Sequence, residues 1–470
     1  MTYLVSTAGD VDLDAVRRVA WDGERARLSA AALDAVERRR GEFETFVEAN
    51  TGRHLYGITT RQGSAAGIVL TDAERRDFGR RLPTTPPAMG PGLPERVARG
   101  AVLARLSDVL HGTAALRRST VERLTELLDG PLPTVPEAGN GEPGDIIVLG
   151  ELFRPTFEGT LEVGEGMALV NGSPVAAAVL ADVVLLAEDR TPRLEMVLAL
   201  AAVAARLPDM HLDAELGRLW GDPYQRDVLA RFRELLDGGD RPRRAYQAQV
   251  SFRGGPRVLG GLRRTLSHAR EAATIALAAA SNNPVYVGPE LRPPLGAVLS
   301  NGGYHNPLVA PTIDAVTHAW ADLAQLLNAQ INRLVEEPDG IAVHEREPLI
   351  GSFSMSASGW AEEARAAAQP SLIGLGRSGQ TDTSTPDVLA WRRAVDAGNA
   401  LDVLLALLAV IAVHLVEHRG DTFPPALQGL RARVLDAFPR DTPPIRFADA
   451  IAAVEGELRW LGDAPPPTAS

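Results

Sequence analysis

Apolar residues recur along most of the chain at intervals of three to four positions, the spacing of one helix face. This period predicts a mainly α-helical protein whose helices are separated by Gly/Pro-rich loops. The predicted helices are residues 30–49, 94–112, 118–129, 173–187, 193–206, 211–219, 224–238, 258–281, 307–334, 354–368, 386–418 and 425–437.

Two segments, 173–187 and 399–415, are apolar on most faces rather than along one stripe. Such helices belong in the interior of a large bundle or in a subunit interface. Strand-like runs are few and short, at 134–136, 160–163 and 297–299, and we expect them to form small ribbons. The pattern therefore predicts a central bundle of long helices with a smaller, loop-rich N-terminal region.

The chain has 470 residues, which exceeds the size at which one compact core stops growing. We expect an N-terminal region over 1–170, a central helical bundle over 171–440, and a C-terminal helix with a frayed tail over 441–470. With 45% apolar and 23% charged residues, the composition is typical of a folded protein with a large core.

Charge and cysteine content exclude several kinds of chemistry. The net charge is −12, and all 48 fixed basic side chains are arginines, so no lysine is present for a Schiff base, a pyridoxal-phosphate site or a P-loop. Nucleic-acid binding needs a concentrated basic face and is not expected. The chain has no cysteine, which excludes disulfides and thiolate nucleophiles and is compatible with the cytoplasmic location that we expect.

No membrane or metal association is expected from the sequence. The N-terminus lacks a basic region followed by a sustained apolar run, so we expect no signal peptide. The most apolar segment, 401–415, is too short to span a bilayer and contains Asp402 and His414, which favours a buried helix. The nine histidines form no His-Glu-x-x-His pair, and the run from His344 to Glu347 has no obvious further metal ligand.

Short polar segments interrupt the helical pattern and carry the candidate chemistry. They read Leu-Tyr-Gly-Ile-Thr-Thr at 55–60, Glu-Pro-Gly-Asp at 142–145, Leu-Val-Asn-Gly-Ser at 169–173, Ser-Phe-Arg-Gly-Gly-Pro at 251–256, Asn-Asn-Pro at 282–284, Asn-Gly-Gly-Tyr-His at 301–305 and Ser-Gly-Gln-Thr-Asp at 378–382. In this order they resemble the loops of the aromatic amino-acid ammonia-lyases, the family of histidine, phenylalanine and tyrosine ammonia-lyases. The order of the matches makes the resemblance stronger than any single segment does.

The resemblance implies a mainly α fold, the ammonia-lyase-like (fumarase/aspartase-like) bundle of long helices. It also implies a homotetramer in which each active site is assembled from loops of three subunits. The expected partner is a small carboxylate-bearing or aromatic molecule.

Two residues match positions that act near the reacting atoms in this family. Tyr56 matches the tyrosine that is the usual candidate for removing the β-proton of the substrate. Because an unperturbed phenol has a pKa of ~10, its action as a base requires nearby donors that stabilise the phenolate. Asn171 matches the asparagine that polarises and orders groups near the electrophile, although Asn-Gly before an apolar run is also an ordinary turn and helix N-cap.

Other residues match substrate-binding positions. Arg253 matches the arginine that binds the substrate carboxylate, a task suited to a guanidinium fork. Asn283, Tyr304, His305 and Gln380 match further pocket positions, and a histidine at a helix start is as often structural.

The 142–145 loop departs from the family at the positions that form the catalytic group. In the family, an Ala-Ser-Gly triplet followed by Asp cyclises into an electrophilic methylidene-imidazolone ring, abbreviated MIO. Here the triplet is Glu142, Pro143 and Gly144. Because proline has no hydroxyl to lose as water and no backbone N–H, we expect no MIO, and we expect no other cofactor.

Further departures surround the same site. Arg61 replaces a small residue and is suited either to holding an anion or to lowering the pKa of Tyr56. Val250 stands at a second tyrosine position, which Tyr246 fills only if the loop differs, and Thr381 stands at the position of a catalytic glutamate.

Three functions remain open. Since a base alone contributes ~10²–10⁴-fold, ammonia elimination without an electron sink is not expected to reach enzymatic rates. The favoured hypothesis is an MIO-independent enzyme, with Glu142 as a new acid or base, that carries out elimination, addition, isomerisation or cyclisation of a specialised metabolite carrying its own activation. The alternatives are a catalytically silent ligand-binding protein or partner of an active paralogue, and a purely structural tetramer.

Overall fold

The computed structural model describes residues 2–141, 143–238, 242–244, 246–336, 350–376 and 380–460, and α-helices account for most of them. These helices are α1 Leu13–Ala15, α2 Ala30–Ala49, α3 Asp72–Gly79, α4 Glu95–Leu110, α5 Arg118–Glu126, α6 Ile146–Phe157, α7 Glu165–Val170, α8 Pro174–Ala204, α9 Ala214–Trp220, α10 Pro223–Leu235, α11 Val250–Arg253, α12 Gly255–Ala278, α13 Val309–Glu336, α14 Phe353–Ala367, α15 Asp387–Arg419, α16 Gln428–Ala437 and α17 Phe447–Trp460. A π-helical stretch, Val16–Trp21, follows α1.

The described strands form two-stranded ribbons. They are β1 Thr2–Val5, β2 Arg25–Leu28, β3 Met89–Gly92, β4 Pro136–Ala138, β5 Val285–Val287, β6 Ala297–Leu299, β7 Gly374–Leu375 and β8 Thr383–Ser384. The β1–β2 pair is parallel and aligns Thr2 with Arg25, whereas the other three pairs, β3–β4, β5–β6 and β7–β8, are antiparallel. The mainly α prediction is therefore confirmed, with the strands as minor elements.

The chain divides into two compact units, and each unit contains three separate chain segments. The first unit comprises Met1–Leu185, Ala269–Ile313 and Pro370–Trp391, and the second comprises Leu186–His268, Asp314–Gln369 and Arg392–Ser470. The units therefore do not follow the consecutive blocks 1–170, 171–440 and 441–470 expected from the sequence. Long helices such as α8 and α15 supply residues to both units, which a division into consecutive blocks cannot represent.

Local capping explains where several helices begin. The hydroxyl of Ser29 accepts a hydrogen bond from the Ala32 amide at 3.2 Å, which satisfies a free amide at the start of α2. Thr71 and Glu74 form a reciprocal capping box at the start of α3.

Residues 173–187 and 193–206 lie in one helix, α8, so the predicted break between them was wrong. Pro192 is inside this helix, where it cannot donate an amide hydrogen bond. The apolar side chains on both sides of the proline are buried; the exposed fraction is 0% for both Ala187 and Leu194. Their burial outweighs a local cost of ~3 kcal/mol for an interior proline.

The predicted strand at 160–163 was also wrong, because side chains occupy its backbone groups. Arg117 Nη2 donates to the carbonyl of Thr160 at 2.7 Å. The carboxylate of Glu165 accepts from the Glu162 amide at 2.9 Å. These bonds satisfy the main chain without a partner strand.

Two helical stretches are long and apolar enough to cross a bilayer by length and composition alone, Glu165–Ala204 and Asp387–Arg419. Their most apolar windows are 94% and 89% buried inside the protein, which is typical of core helices. The segment 401–415 thus belongs to a buried helix as expected, although that helix is longer than the apolar segment itself.

An aromatic cluster fills part of the first unit. Phe43, Phe46, Leu55, Ile58 and Tyr286 are among its members, and all of these five side chains are at most 6% exposed. The cluster packs directly against the chain that carries Tyr56, because Leu55 and Ile58 flank that residue.

A buried ion pair in the second unit provides a test of the packing. Asp402 accepts from Arg190 Nε at 3.0 Å and Nη2 at 2.9 Å, and Arg193 Nη1 lies 3.7 Å away. We predict that Asp402→Ala lowers the free energy of unfolding by about 3–5 kcal/mol, because it leaves buried cations uncompensated. Chemical denaturation measures this change. Glu362→Ala removes an exposed ion pair with Arg365 and should leave stability unchanged, so equal effects of the two variants would contradict the assignment.

Candidate active site around residues 143–145

The 143–145 loop is held by close contact with residue 172. The amide of Asp145 donates to the carbonyl oxygen of Gly172 at 3.0 Å. Gly144 has a φ of +71°, and a Cβ at this position would lie 3.0 Å from the Gly172 oxygen and 3.3 Å from Cβ of Tyr304. Glycine is therefore required at 144 both by its backbone conformation and by this close approach. Tyr304, a predicted substrate-binding residue, lies against the loop.

The carboxylate of Asp145 connects the loop to the start of α8. Its Oδ2 accepts from the amides of Val175 at 2.7 Å and Ala176 at 3.1 Å. Amides in the first turn of a helix have no partner within that helix, so this carboxylate acts as a cap. The loop and the start of α8 thus hold each other in place.

A buried ion pair on α4 contacts the same segments. Arg105 Nη1 donates to Asp108 Oδ2 at 2.8 Å and to the carbonyl of Asn171 at 3.3 Å. Asp108 also accepts from the amide of Ser281 at 2.5 Å and from its hydroxyl at 3.2 Å. The Ser281 hydroxyl in turn accepts from the Ser173 amide at 3.0 Å. Burial lowers the pKa of Arg105 and raises that of Asp108, and their mutual attraction opposes both shifts.

Several polar atoms around the loop are buried without a hydrogen-bond partner among the described residues. They are Nε and Nη2 of Arg105, Oδ1 of Asn171, and both side-chain amide atoms of Asn140. Each unsatisfied buried group costs about 1–3 kcal/mol. The N–H donors of Arg105 and Asn140 and the acceptor oxygens of Asn140 and Asn171 are suited to binding a polar ligand.

Two buried carboxyl groups, Asp145 and Asp387, line one small cavity. The cavity is lined by Asn140, Gly144, Asp145, Ile147, Val148, Thr385, Asp387 and Val388, and its volume of about 10 Å³ is close to that needed for one water molecule. Burial, and then the charge of Asp387, raises the pKa of Asp145 to about 7. Burial also raises the pKa of Asp387 to about 7, partly opposed by the Thr385 hydroxyl and the Ala310 amide.

Tyr56 is half-buried, and its phenol oxygen accepts from the amide of Gly63 at 3.0 Å. Burial raises the pKa of Tyr56 above its ordinary value, the Gly63 amide opposes that shift, and the nearby Tyr304 adds to it. At neutral pH the phenol is therefore protonated and is set up as a hydrogen-bond or proton donor rather than as a base.

The structure places the remaining predicted residues of the first unit in different surroundings. Asn283 is buried, and its Oδ1 accepts from the Asn301 amide at 2.9 Å, which holds the turn that precedes Tyr304 and His305. His305 is half-buried before α13. Gln380 is exposed.

Arg61 is exposed, and its charge acts on Glu74 rather than on Tyr56. Arg61 is therefore not among the groups that shift the pKa of Tyr56.

Arg253 belongs to the second unit, where it ends the short helix α11. Its side chain is half-buried, and its charge, together with burial as the larger cause, lowers the pKa of His211. Arg253 and the residues around Asp145 are thus contributed by different units of the chain.

The residues at the loop do not fit an MIO. Glu142 lies outside the described residues. Pro143 is buried and has neither a hydroxyl that leaves as water nor an amide hydrogen, so the triplet cannot dehydrate to the exocyclic alkene. An Ala-Ser-Gly triplet does occur at 357–359, but it lies within α14, where the Ser358 hydroxyl donates to the carbonyl of Ser354 at 3.0 Å.

Sequence reasoning missed Arg105, Asn140 and Asp387. A signal for Arg105 existed, because Arg105 and Asp108 are charges three positions apart inside an otherwise apolar helix. Asp387 follows a proline at a helix start, where an acidic residue is ordinary, so its pattern gave no signal. No group of three or more His, Asp or Glu side chains suited to a metal ion occurs in the described part of the chain.

Comparison with known proteins identifies similar chains over nearly the full length. The profile of a family described as aromatic amino acid lyase matches residues 11–163 and 158–436. A histidine ammonia-lyase of Geobacillus thermodenitrificans is 26% identical over 497 residues, covering 97% of each chain. A histidine ammonia-lyase of Streptomyces avermitilis is 27% identical over 508 residues, covering 97% of this chain and 96% of that protein.

Solved structures confirm the fold. A tyrosine aminomutase from Streptomyces globisporus superposes with a TM-score of 0.82 at 24% identity, covering 98% of this chain and 97% of that chain. An ergothionase from Treponema denticola superposes with a TM-score of 0.84 at 16% identity, covering 97% of this chain and 99% of that chain. The expected ammonia-lyase-like helical bundle is therefore the fold of this protein.

Gly172 offers a test of the contacts around the loop. Its φ is +155°, and a Cβ there would lie 2.7 Å from Arg105 Nη2 and 2.9 Å from the Ser281 hydroxyl. We predict that Gly172→Ala destabilises the protein by about 1–3 kcal/mol through strain and displacement of the ion pair. Gly261→Ala is the matched control, because its Cβ meets nothing within 4 Å and should be neutral or slightly stabilising in thermal unfolding. Equal unfolding midpoints for the two variants would contradict the close contact at Gly172.

Proposed function

The chain belongs to the aromatic amino acid lyase family, and we propose that it is an MIO-independent enzyme that applies acid–base chemistry to a small carboxylate-bearing substrate. The substrate class is aromatic or amino-acid-derived, and the reaction is an elimination, addition, isomerisation or cyclisation. The proposal is made for this chain only. The relatives named above are histidine ammonia-lyases, a tyrosine aminomutase and an ergothionase.

The missing electrophile determines which substrates are feasible. Pro143 supplies no electron sink, so an unactivated β-proton would have to be removed by acid–base chemistry alone. Such chemistry typically contributes ~10²–10⁴-fold, whereas enzymes commonly accelerate reactions by 10⁶-fold or more. The substrate therefore carries its own activation, such as a good leaving group or a conjugated carbonyl.

The single observation that supports a ligand site is the set of unpartnered buried polar atoms around the loop. Nε and Nη2 of Arg105, Oδ1 of Asn171 and the amide of Asn140 have no partner among the described residues. A protein that had kept only a scaffold role would gain stability from replacing or pairing these groups. Their retention favours a site that binds a polar molecule over a purely structural tetramer.

Tyr56 supplies the acid in this proposal. Its raised pKa keeps the phenol protonated near neutral pH, so it donates to the substrate, for example to a departing group. Asn171 orients the substrate, and Arg253 binds its carboxylate through the guanidinium fork. Glu142, whose placement is not described, stays the proposed additional acid or base at the position of the lost electrophile.

The assembly in this proposal is the family's homotetramer. In that assembly, Arg253 and the loop residues of one site come from different subunits. The cytoplasm remains the proposed compartment. A catalytically silent protein that binds the same class of ligand is the alternative outcome of the experiments below.

Restoring the Ala-Ser-Gly triplet by mutation tests the absence of the electrophile. We predict that wild-type protein retains the full mass of its sequence, whereas Glu142→Ala with Pro143→Ser loses the mass of two water molecules and gains the near-ultraviolet absorbance of an MIO. Peptide mass spectrometry makes the measurement, and Glu142→Ala alone is the control that still contains proline. The triplet at 357–359 should stay hydrated, because its backbone is helical. A dehydrated 142–144 peptide in the wild type would refute the proposal.

Substitution of Tyr56 tests its role as the acid. On β-substituted aromatic acids with good leaving groups, we predict that Tyr56→Phe lowers kcat by ~10²–10⁴-fold with little change in KM. Tyr3→Phe is the matched control, because the Tyr3 hydroxyl donates to the carbonyl of Asp10 near the N-terminus and has no role in the proposed site. Binding of these acids by calorimetry without turnover by the wild type would instead support the silent alternative.

A further inference from the structure

Asp387 is a buried acid whose charge is not compensated by the surrounding residues. It is the first residue of α15, and its side chain is 3% exposed. Neither carboxylate oxygen accepts a hydrogen bond of ordinary geometry, although the Thr385 hydroxyl and the Ala310 amide lie near enough to offset part of the cost of burial. No ion pair to Asp387 occurs among the described residues, and an isolated buried carboxylate is strongly unfavourable.

Asp145 lines the same cavity but has different neighbours. Two amides at the start of α8 donate to its Oδ2, at 2.7 and 3.1 Å, and the positive charge of Arg105 also favours its ionised form. Arg105 itself is paired with Asp108 at 2.8 Å, so it only partly neutralises a second carboxylate. Tyr304 lies against Gly144, and Tyr56 lies near Tyr304.

The two environments decide where a proton goes. Like charges that share a buried site cannot both ionise at neutral pH without a large cost. Asp145 has N–H donors and a cation that stabilise its carboxylate, whereas Asp387 has neither donors of good geometry nor a cation among the residues that the structure describes. The proton therefore belongs on Asp387.

We propose that Asp387 and Asp145 hold one proton between them at neutral pH, with Asp387 as the carboxylic acid and Asp145 as the carboxylate. The O–H of Asp387 then points a donor into the cavity lined by Asn140 and Gly144, whose volume of about 10 Å³ is close to that needed for one water molecule. In the reaction proposed above, on which this use of the proton rests, the pair is a proton source beside the loop: Asp387 gives its proton to a substrate heteroatom, directly or through that water, and becomes a carboxylate.

Infrared difference spectroscopy on the full-length protein tests the shared proton without any substrate. We expect a carbonyl band of a protonated carboxylic acid at pH 7 in the wild type, its loss in Asp387→Asn, and its disappearance as the pH is raised to about 9. Glu362→Gln is the matched control, because Glu362 forms an exposed ion pair with Arg365 and does not line the cavity, so this substitution should leave the band unchanged. In Asp145→Asn the repulsion is absent, so the Asp387 band should persist at pH 7 but disappear at lower pH than in the wild type.

The pH dependence of stability gives a second measurement with a defined sign. Both carboxyls have a folded-state pKa of about 7 against an unfolded value of 3.8. The stability contributed by protonation is therefore complete below pH 3.8 and is lost as the pH rises through about 7. The unfolding midpoint of Asp387→Asn should exceed that of the wild type by several degrees at pH 8, and the difference should shrink at pH 5.

Two results would overturn the proposal. One is a wild-type infrared spectrum at pH 7 that Asp387→Asn leaves unaltered. The other is a stoichiometric metal cation found by elemental analysis and displaced by Asp387→Asn, which would mean that both carboxylates are ionised around it. If Asp387→Asn does not fold, the pH titration of the band in the wild type and in Asp145→Asn decides the question. Because none of these measurements needs turnover, their failure is distinct from failure of the proposed reaction.

Discussion

The Arg105–Asp108 ion pair is the interaction on which the candidate site depends. Both side chains are at most 1% exposed, and the pair connects α4 to the Asn171 carbonyl and to Ser281. A buried ion pair is stable only when further hydrogen bonds satisfy its remaining atoms. Asp108 has those bonds, whereas Arg105 keeps Nε and Nη2 unpartnered among the described residues. The unsatisfied half of the pair is the half that faces the Gly172 segment, and this asymmetry is the reason that we propose a binding site there.

The attachment of the 143–145 loop does not depend on the side chain at position 143. Asp145 caps the start of α8, and Gly144 allows the chain to approach Gly172 closely. These contacts use the main chain and one carboxylate. A proline is compatible with such a loop because its fixed φ and missing N–H remove no bond that the attachment uses. The residue at 143 is therefore decided by chemistry rather than by the contacts that hold the loop.

The sequence predicted the helices well because their burial is encoded locally in the apolar period, as in α2, whose bounds of 30–49 were predicted without error. It failed where tertiary contacts override local preference, as at Pro192 inside α8 and at the 160–163 segment, whose backbone is satisfied by Arg117 and Glu165. The family motifs pointed to Asn171 and Tyr304, which lie beside the loop, and to Tyr56, which lies near Tyr304. The same motifs could not identify Asp387, because only the fold brings residues 145 and 387 to one cavity.

The signs of the charges explain why the Arg105–Asp108 pair and the Asp145–Asp387 pair behave differently. In the Arg105–Asp108 pair, the opposite charges attract each other and so oppose the pKa shifts that burial causes in both partners. In the Asp145–Asp387 pair, like charges add to the cost, and burial raises the pKa of both groups to about 7. Only a pair of the second kind exchanges a proton near neutral pH. The same unit of the fold therefore contains an ion pair that holds its segments together and a carboxyl pair suited to the proton transfer that we propose.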